Sequence, residues 1–473
     1  MREECGVFGV FGNTDAGALT ALGLHALQHR GQEAVGIVSC DGEHFHSERH
    51  LGLVGDHFTD PATVGRLVGG GAIGHVRYST RGDNSMRNVQ PLFADLASGG
   101  FAVCHNGNLT NALTLRETLV HEGAIFQSTS DSEVILHLVA RSRKSRFVDR
   151  FVDGLRQLEG AYSLVGITNK KLIGARDPLG IRPLVLGDLN GAPILASESC
   201  ALDIIGATYV REIANGEVIV ISEDGIQSHF PFPQVPARPC IFEYIYFSRP
   251  DSILGGRSVY EVRKAIGAAL AAELCPDADI VVPVPDSGVP AALGFSQSSG
   301  MPFDYGLIRN HYVGRTFIEP TQEIRALGVR LKHSANRAAV ADKRVVLIDD
   351  SLVRGTTSMK IVRMIYEAGA REVHMRIASP PITHSDYYGI DTPSAENLLA
   401  ANHTTDQMCR IIGADSLAFL SLEGLYRAMG IEARDPVEPQ FTDHCFTGDY
   451  PTPLTDLTHD DPPQQLSLLN VVR

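Results

Sequence analysis

The chain has 473 residues, 44% hydrophobic and 20% charged, which allows two or three domains with their own cores and is normal for a soluble globular enzyme. No apolar run reaches the roughly eighteen residues that span a bilayer, and the opening MREECGVFGVFG lacks the basic start and long apolar core of a secretory signal, so a cytoplasmic protein is expected. A net charge of −14 sets the bulk field against nucleic acid, so a polyanionic small substrate must meet a local cluster of cations.

The first 230 or so residues are rich in Gly and in short β-prone runs, at 6–11, 161–168, 184–186 and 217–222. Turn signals at Asp41-Gly42, Asn190-Gly191 and Asp224-Gly225 separate such runs. Residues 16–29 and 131–142 carry apolar side chains at three- and four-residue spacing and read as helices. This half is therefore α+β with extensive antiparallel sheet. Pro231, Pro233, Pro236 and Pro239 mark a connector, after which the texture becomes α/β. Residues 258–274 place Val259, Val262, Ile266, Leu270 and Leu274 on one helical face. The runs 280–284 and 345–348 are continuous and apolar, as buried parallel strands are, and a helix over 357–368 should stop at Gly369. Beyond about residue 430 the chain is acidic and Pro-rich, and is expected to wind over the surface. The eight Cys are scattered without a CxxC pair and fit reduced thiols.

Cys5 opens a strand almost at the chain end. If Met1–Glu4 were removed as a propeptide, its own α-amine, titrating near 7.7–8.0, could serve as base for its thiol. Further on stand His75-Val76-Arg77-Tyr78-Ser79-Thr80, His105-Asn106-Gly107-Asn108-Leu109 and Thr129-Ser130-Asp131-Ser132-Glu133. Read alone, Arg77 and Asp131 would be a structural ion pair and Asn106-Gly107 a hairpin turn. Together with Cys5 and Leu27-Gln28-His29-Arg30-Gly31-Gln32-Glu33, they resemble the class II glutamine amidotransferase domain, an N-terminal-nucleophile (Ntn) fold of two stacked sheets between helices. The resemblance covers residues 5–230. It implies Cys5 as nucleophile, the Asn106 side chain and Gly107 N–H as oxyanion hole, Arg77 as the fork for the glutamine α-carboxylate, and Asp131 as partner of its α-ammonium.

The stretch Val345-Val346-Leu347-Ile348-Asp349-Asp350-Ser351-Leu352-Val353-Arg354-Gly355-Thr356-Thr357-Ser358 is a buried strand ending in two carboxylates, then a hydroxyl-rich loop that enters a helix. Ligands of open α/β sheets lie beyond such strand ends. Asp349 and Asp350 can accept from vicinal ribose hydroxyls, while the N–H groups of 354–357 suit a phosphate, with the Ser351, Thr356 and Thr357 hydroxyls as further donors. The stretch is no P-loop, since GxxxxGK[ST] is absent. It resembles the phosphoribosyl-pyrophosphate signature of type I phosphoribosyltransferases. The resemblance makes Asp286-Ser287-Gly288 a pyrophosphate loop, sets magnesium near Ser287, Asp349 and Asp350, and begins a mobile loop at residue 310. Arg309, Arg315, Lys332 and His333 are the candidate cations.

Both halves in this order resemble the amidophosphoribosyltransferase family, with a 231–257 connector, a phosphoribosyltransferase domain at 258–430 and a tail at 431–473. The implied reaction takes ammonia from glutamine to phosphoribosyl pyrophosphate, giving 5-phosphoribosylamine, glutamate and pyrophosphate, at the first step of purine (IMP) synthesis. A homotetramer, purine-nucleotide feedback inhibition and internal ammonia transfer are implied as well. Many relatives carry a four-cysteine iron–sulfur cluster. Here Cys240 and Cys445 match two ligands, but Asp386 and Thr442 stand at the others, so no cluster is expected. Two rival classes would show other features. Sugar-phosphate or asparagine-forming class II enzymes should lack residues 345–358, and a non-catalytic phosphoribosyl-pyrophosphate sensor should carry a DNA-binding head and a basic surface.

Overall fold

In a computed structural model of the protein, residues 5–78, 85–310 and 333–458 are described. The N-terminal half stacks two antiparallel sheets. The seven-stranded sheet runs in the order Thr208–Glu212, Val185–Leu189, Ala192–Ala196, Gly6–Phe11, Gly71–Arg77, Ala34–Cys40, Phe45–Leu51. The six-stranded sheet runs Gly225–His229, Val218–Ser222, Leu172–Arg176, Gly160–Thr168, Gly99–Leu109, Leu92–Leu96.

Strand alternation sorts the side chains. Val7, Val38 and Ile73 meet Ala102, Val165 and Ile219 between the sheets, whereas Phe8, Val10 and Val76 face the helix Ala16–Ala26. On the far side the helices Ala112–His121, Glu133–Arg141 and Phe147–Leu155 cover the second sheet. This is the four-layer Ntn sandwich. Asn190 and Gly191 both take positive φ (53° and 89°), as a two-residue hairpin between Val185–Leu189 and Ala192–Ala196 requires. The first helix ends at Ala26, short of the expected 29. Gly31 must come within 2.6 Å of the Val76 backbone if given a Cβ, so the chain has to leave the helix and pack flat on that strand.

The C-terminal half holds a parallel sheet in the order Ile280–Pro283, Arg344–Asp349, Glu372–Ile377, Ser416–Phe419. Both faces are covered. Val345 and Leu347 join one apolar cluster and Val346 and Ile348 the other, which is why the run is continuously apolar. The helix Val259–Leu274 is capped by Ser258, whose side chain accepts from the Glu261 N–H. The helix Thr356–Glu367 ends just before Gly369, at φ 101°.

The stretch after the prolines differs from a loose linker. Residues 240–247 include a buried π-helical turn, Glu243–Phe247, and share a core with Ala161 and Ile181 of the first half. The tail departs further from expectation. Phe441, Thr442, Asp443, His444 and Cys445 are buried, and the tail then crosses to the first half, where Asp456 accepts from the Leu113 and Thr114 N–H groups at 2.9 and 3.1 Å. Its polar composition reflects hydrogen bonding inside the structure rather than exposure to water.

Candidate active sites

Cys5 precedes the Gly6–Phe11 strand, whose register Gly6↔Val76 leads one step on to Arg77. The Cys5 thiol donates to the Tyr78 carbonyl at 3.5 Å, and the Cys5 carbonyl accepts from Arg30 Nε at 3.0 Å. Arg77 is buried at the strand end. From the second sheet, Cys104 and Asn106 lie on the same strand face. Burial first, and then the Cys5 charge, push the Cys104 thiol well above its ordinary range, which puts Cys5 beside this strand. Asn106-Gly107 is no hairpin turn, for it sits inside Gly99–Leu109 opposite Ser163 and Tyr162.

Asn106 is 1% exposed, yet neither its Oδ1 nor its Nδ2 has a hydrogen-bond partner. An unsatisfied buried amide costs about 1–3 kcal/mol, and a donor held free beside a nucleophile is what a developing oxyanion needs. Gly107 takes φ 139°, and a Cβ there would lie 2.1 Å from the Ala161 carbonyl, so only glycine fits. Asp131 is held by the Leu109 N–H (3.1 Å) and the Ser132 hydroxyl (3.1 Å), with His105 Nδ1 at 3.6 Å.

A network of buried charge, not singled out in the sequence, joins this site to the second half. Arg30 pairs with Glu198 and with Glu243 (2.8 Å), and Glu243 pairs with Arg182 (3.3 Å). Arg182 Nε in turn donates to the Tyr388 carbonyl at 2.9 Å. Burial would raise the Glu198 carboxyl, but the His29 and Arg30 charges outweigh it and hold it well below the usual range. The 385–391 loop then lies against the oxyanion strand. Asn108 Nδ2 donates to the Tyr387 carbonyl (2.8 Å), the Tyr78 hydroxyl to Asp391 (3.3 Å), and a Cβ on Gly389 would stand 3.1 Å from Gly107 Cα. Residues 61 to 313 positions apart leave no local signature of such contacts. The only available signal was the charged Arg30 and Glu243 inside otherwise apolar or turn-forming segments.

In the second half the parallel pairing Pro283↔Ile348 sets two loops side by side at the carboxyl ends of their strands. Val284 N–H donates to the Ile348 carbonyl at 2.7 Å, and a Cβ on Gly288 would meet that same oxygen at 2.6 Å. Asp286-Ser287-Gly288 is thereby brought next to Asp349-Asp350. Asp349 and Asp350 are buried; desolvation and then the neighbouring Asp350 charge push the Asp349 carboxyl well up. Two adjacent oxygen donors under that strain suit a hard cation such as magnesium. The Ser351 hydroxyl donates to Asp350. Gly355 at φ 74° turns the chain into Thr356–Glu367, whose first residues Thr356 and Thr357 are exposed with the helix N–H groups beside them. Arg354 is exposed at the same corner. Of the candidate cations, Arg309 is paired with Asp286, and His333 lies 3.4 Å from the Pro285 carbonyl. Arg315 and Lys332 fall outside the described residues, as do Met1–Glu4.

A glutamine amidotransferase domain family matches residues 75–203. The chain is 63% identical over 475 residues to the amidophosphoribosyltransferase of Rhizobium etli, covering 99% of this chain and 96% of that one. It is 47% identical to the Bacillus subtilis amidophosphoribosyltransferase, covering 96% and 95% of the two chains. The solved B. subtilis glutamine phosphoribosylpyrophosphate amidotransferase, complexed with ADP and GMP, superimposes with a TM-score of 0.91 at 46% identity, covering 97% of this chain and 99% of that one.

Proposed function

Because the chain belongs to the amidophosphoribosyltransferase family, we propose that its glutamine half works from Cys5 and its ribose half from the paired loops after Pro283 and Asp349. The enzyme hydrolyses glutamine and transfers the ammonia to phosphoribosyl pyrophosphate, opening purine synthesis. In our reading the Cys5 thiol, deprotonated by its own α-amine once 1–4 are gone, attacks the carboxamide carbon. Asn106 Nδ2 and the Gly107 N–H receive the oxyanion, ammonia leaves, and water releases glutamate from the thioester. Arg77 and Asp131 hold the α-carboxylate and α-ammonium. The observation that carries this reading is the unpartnered buried amide of Asn106.

In the second half Asp349 and Asp350 would accept from the ribose hydroxyls, and the 354–357 N–H groups with Ser351, Thr356 and Thr357 would hold the 5-phosphate. Asp286, Ser287 and Gly288 would border the pyrophosphate, with Arg315 and Lys332 as its cations. Ser287, Asp349 and Asp350 would hold magnesium, which would supply positive charge against the departing pyrophosphate. The packing of Gly389 on Gly107 supports direct passage of ammonia between the halves; ammonia in the medium as effective as an equal amount released from glutamine would refute it. Since the B. subtilis relative is complexed with ADP and GMP, purine nucleotides are the proposed feedback inhibitors, acting on a homotetramer. Eight cysteines, none in a disulfide among the described residues, support a reducing, cytoplasmic setting, and no helix among the described residues is long and apolar enough to cross a membrane.

The test is glutamate release from glutamine with and without phosphoribosyl pyrophosphate and magnesium, in wild type and Cys5→Ser. Strong stimulation in the wild type, pyrophosphate in step, and loss in C5S are expected. Glutamate release that survives C5S would remove Cys5 as nucleophile.

A further inference from the structure

Three buried side chains that the reaction does not use converge next to the 385–391 loop. His444 Nε2 lies 2.8 Å from Asp386 Oδ2 and 3.4 Å from the Cys445 sulfur, and the three atoms all fall within 4.8 Å of one another. The Asp386 and His444 side chains are 0% and 1% exposed. Cys240 is buried in the same core cluster as Cys445. Its backbone bridges Thr442, with the Ile241 N–H on the Thr442 carbonyl at 3.2 Å, which brings it alongside the turn that carries His444 and Cys445.

Ordinary hydrogen bonding leaves this group unsatisfied. Asp386 Oδ1 accepts from the Tyr388 and Ile390 N–H groups, both at 2.7 Å, and so shapes the loop. Among the described residues Asp386 Oδ2 has no aligned hydrogen bond, although His444 Nε2 pairs with it at 2.8 Å, and His444 Nδ1 has no hydrogen-bond partner. Arg182, 4.0 Å from Asp386 Oδ2, is a distant counter-charge. His444 and Arg182 already lend Asp386 positive charge, and a cation at the point of convergence would add a direct bond to a carboxylate oxygen that has no aligned hydrogen bond.

The donor set decides which cation. An iron–sulfur cluster needs four thiolates or their few known substitutes; two thiols, with Asp386 and Thr442 at the remaining positions, do not fit one. One thiol, one imidazole and one carboxylate already converge, and the Cys240 thiol, outside that group of three atoms but in the same core cluster, would complete the set of a single tetrahedral zinc ion by turning toward it. With metal–nitrogen and metal–oxygen distances of about 2.1 Å and metal–sulfur of about 2.3 Å, tetrahedral ligands stand about 3.4 Å (N to O) and about 3.6 Å (N to S) apart. The observed 2.8 and 3.4 Å differ from these by about 0.6 Å or less.

We propose that Cys240, Asp386, His444 and Cys445 form a structural site for one Zn²⁺ ion. The ion would tie the connector, the tail and the loop bearing Gly389 into one unit. The test uses the full, reduced chain, loaded with Zn²⁺ and then dialysed against metal-free buffer. Elemental analysis should find about one zinc per chain. Replacement by Co²⁺ should give the intense visible bands of a tetrahedral site and near-ultraviolet thiolate charge-transfer bands that weaken in Cys240→Ser and Cys445→Ser. Zinc below about a tenth per chain in the loaded wild type, a weak octahedral cobalt spectrum, or stoichiometric iron and sulfide would each overturn the proposal. The wild-type measurements decide it even if a variant fails to fold.

Discussion

Arg30 Nε donates to the carbonyl oxygen of Cys5 at 3.0 Å, while the other end of the same guanidinium grips Glu243, 213 positions away, at 2.8 Å. One side chain thus fixes the backbone of Cys5 to a turn in the other half. Arg30→Ala removes one buried charge from a network in which Glu198 keeps His29 and Glu243 keeps Arg182. A loss of about 3–5 kcal/mol of stability is expected from breaking a buried charge network, read by urea unfolding. A change below about 1 kcal/mol would show that the network is not held together by this residue.

Asn106→Ala should lower kcat for glutamine hydrolysis by about 10²–10³-fold, the usual effect of removing one oxyanion donor. Synthesis from added ammonium chloride should stay near wild type, because that route bypasses the nucleophile. If both rates fell together, Asn106 would be acting on folding and not on the oxyanion.

Gly389→Ala probes the contact between halves. The residue sits at φ 119°, and its new methyl would press on Gly107 at 3.1 Å. Glutamine-dependent synthesis should fall more than ammonia-dependent synthesis, by about tenfold for a displacement of about 1.4 kcal/mol. Equal losses would place the damage in the ribose site.

Gly288→Ala should do the opposite. A Cβ 2.6 Å from the Ile348 carbonyl must push the 286–288 loop away from Asp349. The KM for phosphoribosyl pyrophosphate should rise with either nitrogen source, while basal glutamate release without phosphoribosyl pyrophosphate stays unchanged. A normal KM would mean that the loop position is not critical.

Acid stability has a specific expectation. Burial lowers the His75 pKa from 6.5 to about 3, and its Nε2 lies 3.1 Å from the His105 carbonyl. The unfolded chain therefore binds this proton below about 6.5 and the folded chain only near 3. Stability from neutral His75 is complete above 6.5 and is lost as the pH falls through that window, by at most about 1.4 kcal/mol per unit. His75→Gln should flatten the difference in urea midpoint between pH 7 and pH 4.5. An unchanged difference would assign the acid sensitivity to the carboxylates.

Much of this architecture could be read along the chain because local rules and tertiary packing agree. The run 345–348 is apolar on both faces and lies in the middle of a parallel sheet, and Asn190-Gly191 forms the hairpin its composition demands. Gly369 stops its helix as expected. Where local rules and packing conflict, sequence fails. Asn106-Gly107 has the chemistry of a turn but is held in mid-strand by nine paired residues of Gly160–Thr168. Phe441 to Cys445 lie in a polar, proline-rich stretch, yet they are buried because their partners, Arg434, Tyr426 and Asp386, come from elsewhere in the fold. The Arg30–Glu243–Arg182 chain has no periodicity at all.

The contact of Asp456 with the Leu113 N–H has a meaning in time as well as space. The helix Ala112–His121 belongs to the half that is translated first, but the carboxylate that satisfies its leading N–H groups lies 343 positions later. At the usual 5–20 residues per second, roughly 17–70 seconds separate the two on the ribosome. During that interval the first half has an uncapped helix end and an uncovered patch of surface. The nascent enzyme therefore acquires its last piece of glutaminase structure only when the far end of the chain emerges, and a transcript cut short before codon 456 would yield a first half that never completes that end.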